Sequence, residues 1–266
     1  MFELEPFVYA LTALLALATL AWLVSVAKRD VSIVDTIWSL MFVLAAFLYA
    51  ATVPTPGTRT SLILALVSLW GLRLAGYITW RNWGEGEDRR YRAIRARNEP
   101  RFAFKSLYLV FWLQAGLAWV ISLPLLAAVA APAPIGVLDY VGVALWLVGF
   151  AFESVADFQL ARFKSDPANR GQVMERGLWR YTRHPNYFGD FCIWWGFYLI
   201  ALSAGGWWSV VSPVVVSVLL LKVSGVALLE QDIGERRPGY DEYAARTNAF
   251  FPGPVRERRA REEALR

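Results

Sequence analysis

Residues 6–27 read PFVYALTALLALATLAWLVSVA, a stretch without a single charged side chain. Roughly 20 apolar residues in helical conformation cross the hydrocarbon core of a bilayer, so this stretch predicts a membrane-spanning helix. Comparable apolar stretches recur along the rest of the chain. The predicted spans are 6–27, 33–51, 60–80, 104–131, 137–160, 187–203 and 207–229. We therefore predict an all-α, polytopic membrane protein with seven transmembrane helices.

The composition of the 266-residue chain agrees with this prediction. Hydrophobic residues make up 57% and charged residues 18% of the sequence, whereas a soluble domain has about 45–50% and about 25%. These fractions exclude an intrinsically disordered chain and an ordinary soluble enzyme, and the single cysteine, Cys192, excludes a disulfide-rich secreted module. Since no cluster of Cys and His has the spacing of metal ligands, we expect no metal site.

Almost all of the 27 Lys and Arg residues lie in alternate loops and in the C-terminal tail. The positive-inside rule assigns such loops to the cytoplasm, which predicts an outside N-terminus and a cytoplasmic C-terminus. The net charge of +5 is then a topology signal, and we expect no nucleic-acid partner. Residues 1–254 are predicted to form one membrane domain, followed by a charged cytoplasmic tail at 255–266. The Ala- and Arg-rich composition suggests a bacterial inner membrane. We expect no obligate protein partner.

Ionisable side chains within or at the ends of the predicted spans share one leaflet, the cytoplasmic one. They are Asp35, Arg73, Glu153, Asp157, Asp190, Lys222 and Glu230. Such groups are costly in lipid and often mark a functional site, so they predict a water-accessible cavity that opens to the cytoplasm. The alternative is that each group snorkels or pairs at the membrane interface.

Residues 177–190 read GLWRYTRHPNYFGD and contain the only histidine of the chain, His184. Arg180 and Arg183 precede a predicted helix start, where backbone N–H groups favour anions such as phosphate. Arginine also binds phosphate in bidentate fashion, so the segment indicates a phosphate site. The alternative is a structural loop whose arginines contact lipid headgroups and whose histidine has no catalytic role.

The run Arg183–Asp190 resembles the signature of the steroid 5-alpha-reductase superfamily. Residues 157–171 and 229–252 extend the resemblance, and the loop 82–91, NWGEGEDRRY, is similar to the bacterial branch. The resemblance implies a seven-helix fold that binds NADPH in a cavity facing the cytoplasm. The cofactor-contacting residues that it implies are Arg73, Asn82, Asp157, Lys164, Arg170, Arg180, Arg183, His184, Asn186, Tyr187, Asp190 and Tyr243.

The resemblance also implies an activity, the NADPH-dependent reduction of a carbon–carbon double bond conjugated to a ketone. Steroid-reducing members carry a Gln-Glu pair in span two and a tyrosine in span three, whereas this chain has Asp35 and Trp38, then Trp70 and Tyr77. We therefore expect a steroid-like or other apolar, lipid-like enone that enters from the membrane. Asp35 or Tyr77 is the expected catalytic acid that polarises the substrate carbonyl.

Two other interpretations stay open. Membrane methyltransferases of the isoprenylcysteine and phospholipid type use S-adenosylmethionine and share an Arg-His-Pro-x-Tyr segment. They lack the continuation of the motif found here, and this chain lacks their paired glutamates in the last span. The third interpretation is a non-catalytic lipid-binding membrane protein that keeps the fold.

Overall fold

The structure, a computed structural model, describes residues 3–53, 56–131, 134–223, 225–226, 230 and 233–256, without the side chains at 235 and 236. Within these residues the chain forms helices and connecting loops, and no β-strand. The longer helices are α1 (Leu4–Lys28), α2 (Ile33–Thr52), α3 (Thr58–Asn82), α4 (Arg89–Asn98), α5 (Phe102–Ala130), α6 (Val137–Ser165), α7 (Pro185–Ser203) and α8 (Trp207–Val223). Two short helices follow, α9 (Ile233–Arg236) and α10 (Tyr240–Arg246). The predicted all-α class is confirmed for this part of the chain.

Five of the described helices, α1, α2, α3, α5 and α6, are long and apolar enough to cross a membrane. They correspond to the first five predicted spans and indicate a multi-pass membrane protein in a lipid bilayer. The sixth and seventh predicted spans correspond to the shorter helices α7 and α8, so seven crossings and the orientation stay predictions. The end of the seventh span at 227–229 and tail residues 257–266 lie outside the described residues.

The described chain divides into two compact units. The first comprises Met1–Tyr140 and Phe197–Ser212, and the second comprises Val141–Gly196 and Pro213–Arg266. In the first unit, α2 packs against α1 and α3. A Cβ atom at Gly71 would lie 2.6 Å from Val43 Cγ2, and the Ser39 hydroxyl donates to the Gly71 carbonyl at 2.8 Å. Glycine therefore permits the close approach of α3 to α2.

α5 is interrupted at Ser122, between the helical segments Leu113–Ile121 and Leu123–Ala130. Pro124 causes the break, because proline lacks a backbone N–H and is tolerated only in the first turn of a helix. The Ser122 hydroxyl lies 2.7 Å from the Tyr49 hydroxyl of α2. The interruption is thus tied to the neighbouring helix by a buried hydrogen bond.

A buried ion pair joins the first turns of α3 and α6 in the first unit. Arg59 donates from Nε to Asp139 Oδ1 at 2.8 Å and from Nη2 to Oδ2 at 2.9 Å. Asp139 Oδ2 also accepts from the Ser203 hydroxyl at 2.6 Å and from the Gly136 amide at 2.8 Å. We refer to Arg59, Asp139 and Ser203 as the Asp139 cluster.

In the second unit, α6 and α7 meet backbone to backbone. A Cβ atom at Gly149 would lie 2.5 Å from the Gly189 carbonyl oxygen, and one at Gly196 would lie 2.7 Å from the Gly142 carbonyl oxygen. Small residues at a helix interface allow this close packing in membranes. Because Gly189 belongs to the motif at the start of α7, the packing fixes the motif against α6.

Candidate functional site

Four polar side chains of the first unit form what we call the Asp35 cluster: Asp35, Arg90, Tyr91 and Gln114. Asp35, in the first turn of α2, accepts from the Tyr91 hydroxyl at 2.5 Å through Oδ1 and from Arg90 Nη2 at 2.7 Å through Oδ2. Gln114, within α5, donates from Nε2 to the Tyr91 hydroxyl oxygen at 3.2 Å. The Tyr91 hydroxyl therefore lies between a carboxylate acceptor and an amide donor.

The short helix α4 presents Tyr91 and Arg90 to Asp35. The Asp88 carboxylate caps the start of α4 by accepting from the Arg90 amide at 2.8 Å, and the Asp88 amide donates to the Ser32 hydroxyl at 2.7 Å. Glu87 accepts from the Val31 amide at 3.1 Å. These bonds dock the start of α4 on the turn between α1 and α2, where α2 and Asp35 begin.

Burial and the neighbouring Asp35 carboxylate keep the Tyr91 phenol protonated. Burial raises the pKa of the Tyr91 phenol well above its ordinary value of 10, and the negative charge of Asp35 raises this pKa further. The pKa of the neighbouring Glu87 shifts in the opposite direction. Burial alone would raise it, but hydrogen bonds from Arg95 and from the Val31 amide lower it overall. At neutral pH the segment thus offers a protonated phenol beside ionised carboxylates.

The other predicted residues of the first unit lie on α3. Tyr77 lies beside Trp80, with ring centroids 6.2 Å apart, and the Arg81 guanidinium stacks over its ring at 5.8 Å. Arg73 is half-buried one turn earlier. Asn82 ends α3 and accepts from Arg81 Nε at 3.0 Å. Of the two predicted acids, Asp35 belongs to the Asp35 cluster, and Tyr77 lies on α3 beside Trp80 and Arg81. The choice between them stays a prediction.

The motif at the start of α7 is organised around one carboxylate of the second unit. Glu230 accepts from Arg183 Nε and Nη2, each at 2.8 Å, and its Oε1 lies 2.8 Å from His184 Nε2. We refer to Arg183, His184 and Glu230 as the Glu230 cluster. Burial alone would raise the pKa of Glu230, but hydrogen bonds from His184 and Arg183 lower it to about 2. Glu230 is therefore ionised throughout the physiological range.

Arg183 also fastens the C-terminal part of the described chain to the motif. Its Nη1 donates to the carbonyl oxygens of Ala244 at 2.9 Å and Thr247 at 3.0 Å. The Thr182 hydroxyl donates to the Phe250 carbonyl at 2.7 Å, and the Arg183 amide donates to the Asn248 carbonyl at 2.9 Å. Nε, Nη1 and Nη2 of Arg183 thus all donate to acceptors of the protein, which indicates that Arg183 positions the motif.

Further predicted residues surround this cluster. Asn186 Nδ2 donates to Asp157 Oδ1 at 3.4 Å, and the Tyr187 ring stacks on His184 with centroids 5.5 Å apart. Tyr243 donates from its hydroxyl to the Trp179 carbonyl, and burial raises the pKa of this phenol. Asp190 is half-buried in the first turns of α7.

Three predicted cations of the second unit, Lys164, Arg170 and Arg180, are exposed. The structure therefore separates the predicted basic residues into exposed cations and the internally bonded Arg183.

Among the described residues, no group of three or more His, Cys, Asp or Glu side chains is arranged to hold a metal ion.

Of the Asp35 cluster, only Asp35 is a site residue predicted from the sequence. Arg90 and Tyr91 are predicted only as part of the loop 82–91, and Gln114 is not predicted. Gln114 is the single amide side chain within predicted span 104–131, a signal that was present in the sequence. Tyr91 belongs to a polar segment without apolar periodicity, although the structure places it on α4, so nothing local marks it as a partner of Asp35. Glu230 was noted only as an ionisable residue at the end of the last predicted span, although it organises the motif.

Comparison with known proteins gives a family but no established activity. A family model described as "Protein of unknown function (DUF1295)" matches residues 21–247. The chain is also similar to the uncharacterized protein C594.04c of Schizosaccharomyces pombe, with 28% identity over 94% of this chain and 81% of that protein. No solved structure matches the chain. This multi-pass membrane protein belongs to the DUF1295 family.

Proposed function

We propose that this protein is an NADPH-dependent membrane reductase that saturates the conjugated carbon–carbon double bond of an apolar enone. The observation that carries the proposal is the Asp35 cluster, in which a phenol that keeps its proton lies between a carboxylate and an amide. Enone reduction requires a donor at the carbonyl oxygen, because negative charge builds there when the β-carbon receives a hydride. The resemblance to the steroid 5-alpha-reductase superfamily supports this choice of reaction.

Tyr91 is the proton donor in the proposed reaction. Its hydroxyl turns from Asp35 Oδ1 to the carbonyl oxygen of the substrate, while Arg90 continues to bind Asp35 Oδ2. The second N–H of the Gln114 side-chain amide donates to the same carbonyl oxygen. NADPH, when bound, would supply the hydride to the β-carbon. The Tyr91 proton goes to the carbonyl oxygen, and the addition is complete when the resulting enol rearranges to the ketone. Asp35 then accepts a proton from water and returns it to Tyr91.

The cofactor contacts are proposed for the second unit. Lys164, Arg170 and Arg180 carry exposed positive charge, which suits the pyrophosphate and the 2′-phosphate of NADPH. Arg183 and His184 bind Glu230 and thereby hold the motif loop in shape. The exposed cations have the chemistry to bind the phosphate groups of NADPH.

Ligand binding by the purified, detergent-solubilised full chain tests the proposal. A ligand at 100 times its Kd stabilises the folded state by about 2.7 kcal/mol, which is measurable as a rise in melting temperature. We expect NADPH to raise the melting temperature and S-adenosylmethionine to leave it unchanged. The variants Arg180→Gln and Arg170→Gln should weaken the effect of NADPH, whereas Arg256→Gln, also exposed, should not.

Turnover provides the second measurement. NADPH oxidation should depend on an added hydrophobic enone and should yield the saturated ketone, identified by mass spectrometry. Stabilisation by S-adenosylmethionine alone would instead favour the methyltransferase alternative. Stabilisation by neither ligand would favour a non-catalytic lipid-binding protein.

A further inference from the structure

The segment that joins α3 to α5 combines exposed aromatic rings with exposed cations. Trp80 and Trp83, around the end of α3, are 65% and 81% exposed, and Phe104, at the start of α5, is 63% exposed. Because α3 and α5 are apolar enough to cross a membrane, these rings lie at the depth where tryptophan is enriched, the membrane–water interface. α4, which connects these two helix ends, therefore lies at the level of the lipid headgroups.

Two acidic residues at the start of this segment, Glu87 and Asp88, are used internally. Glu87 binds Arg95 through both carboxylate oxygens, at 2.7 and 2.9 Å, and also accepts from the Val31 amide. Asp88 binds Arg90, which in turn binds Asp35. These contacts neutralise Arg90 and Arg95 and fix α4 against the rest of the first unit.

Other cations of the segment are exposed. Arg92 and Arg97 on α4 are exposed, as is Arg101 at the start of α5. Two carboxylates of the segment, Glu85 and Glu99, are exposed as well, so the outward surface carries a surplus of positive charge. Since α4 is docked by several hydrogen bonds, these cations are presented on a fixed scaffold and not on a flexible loop.

We propose that Arg92, Arg97 and Arg101 form a binding surface for anionic phospholipid headgroups. Charge complementarity favours this partner, because guanidinium groups bind phosphate and juxtamembrane cations attract anionic lipid. The flanking aromatic rings favour a lipid over a soluble phosphate, because they hold the surface in the headgroup layer. The proposal is independent of the proposed reductase activity.

Lipid titration of the full chain in neutral-detergent micelles tests the proposal. We expect phosphatidylglycerol to bind at least tenfold more tightly than phosphatidylcholine, measured by native mass spectrometry and by the shift in melting temperature. The variant Arg92→Gln/Arg97→Gln/Arg101→Gln should lose this preference. A matched variant of the second unit, Arg162→Gln/Arg176→Gln/Arg256→Gln, removes the same charge and should keep it. Raising the ionic strength should weaken binding to the unaltered chain.

A Lys replacement at the same three positions separates lost binding from lost folding. Arg92→Lys/Arg97→Lys/Arg101→Lys keeps the charge and should keep most of the preference for phosphatidylglycerol. The proposal is overturned if the Gln variant retains the preference or if the matched variant loses it equally. It is also overturned if inorganic phosphate alone stabilises the chain as strongly as the lipid does.

Discussion

The Asp139 cluster and the Asp35 cluster of the first unit use the same chemical groups in different surroundings. Each joins an aspartate to an arginine and a hydroxyl group. The side chains of Arg59 and Asp139 are each 1% exposed, whereas Arg90 and Asp35 are 35% and 14% exposed. Asp139 is held by Arg59, Ser203 and a backbone amide, so it has no access to a new partner.

The Asp139 cluster is therefore a structural ion pair, whereas the Asp35 cluster is accessible to a ligand. A fully desolvated pair with satisfied oxygens fixes one arrangement of helix ends, and removing one partner leaves a costly buried charge. A partly accessible cluster costs less to break and can exchange one hydrogen bond for another with a ligand. Variants of these clusters test this distinction.

Asp139→Asn should destabilise the protein by about 3–5 kcal/mol, because Arg59 would keep its charge in a buried place without a counter-charge. The measurement is the melting temperature of the detergent-solubilised chain. Asp35→Asn serves as the control and should cost about 1 kcal/mol or less, as expected for a partly exposed pair. Equal losses for the two variants would remove the distinction between the clusters.

Tyr91→Phe should lower the turnover of an enone about 100-fold, the effect of losing a general acid. The Kd for NADPH and the melting temperature should change little, since the ring stays in place. Tyr77→Phe is the matched control on α3 and should leave turnover near its original value. Full activity of Tyr91→Phe together with loss of activity in Tyr77→Phe would transfer the acid role to Tyr77.

Glu230 provides a third case, because its side chain is 22% exposed and is bonded by both Arg183 and His184. Its pKa is lowered from 4.5 to about 2 in the folded chain, so its stabilising contribution is complete above pH 4.5. That contribution is lost as the pH falls through 2. Glu230→Gln should cost about 1.5–3 kcal/mol at pH 7, the range for hydrogen bonds to charged groups. Unfolding measured against pH should show a shallower acid transition in this variant.

Ser203→Ala and Gln114→Leu should both have small effects, the first on stability and the second on turnover. Ser203→Ala removes one donor to Asp139 and should lower stability by about 1 kcal/mol without altering turnover. Gln114→Leu should lower turnover about tenfold, equivalent to 1.4 kcal/mol, with little change in stability. Melting curves and initial rates on the same preparations distinguish the two. An effect of Ser203→Ala on turnover would contradict the assignment of a purely structural role.

The long apolar helices follow from the sequence. The predicted span 33–51 corresponds to Ile33–Thr52, and the predicted span 104–131 corresponds to Phe102–Ala130. The helix Val137–Ser165 contains the predicted span 137–160 and continues beyond it through charged residues. Hydropathy identifies where a helix is apolar, whereas its end depends on caps and on packing.

The candidate sites were only partly predictable. Asp35 stood out from the sequence because a charge within an apolar span is costly, and Arg183 stood out because it lies in the motif 177–190. The pairings were not predictable, since Tyr91 is 56 residues from Asp35 and Glu230 is 47 residues from Arg183. Nothing in the local pattern around Tyr91 or Glu230 indicates which helix end each will meet.

The amino-acid sequence by itself determined that this chain forms apolar helices suited to a bilayer. A helix satisfies its backbone hydrogen bonds within one segment, so composition and length along a single stretch suffice to predict it. The tertiary structure alone decided that Asp139 is enclosed while Asp35 stays partly accessible. That outcome depends on the contacts of Asp139 with Arg59 and Ser203 and on the docking of α4, which join residues far apart in the chain.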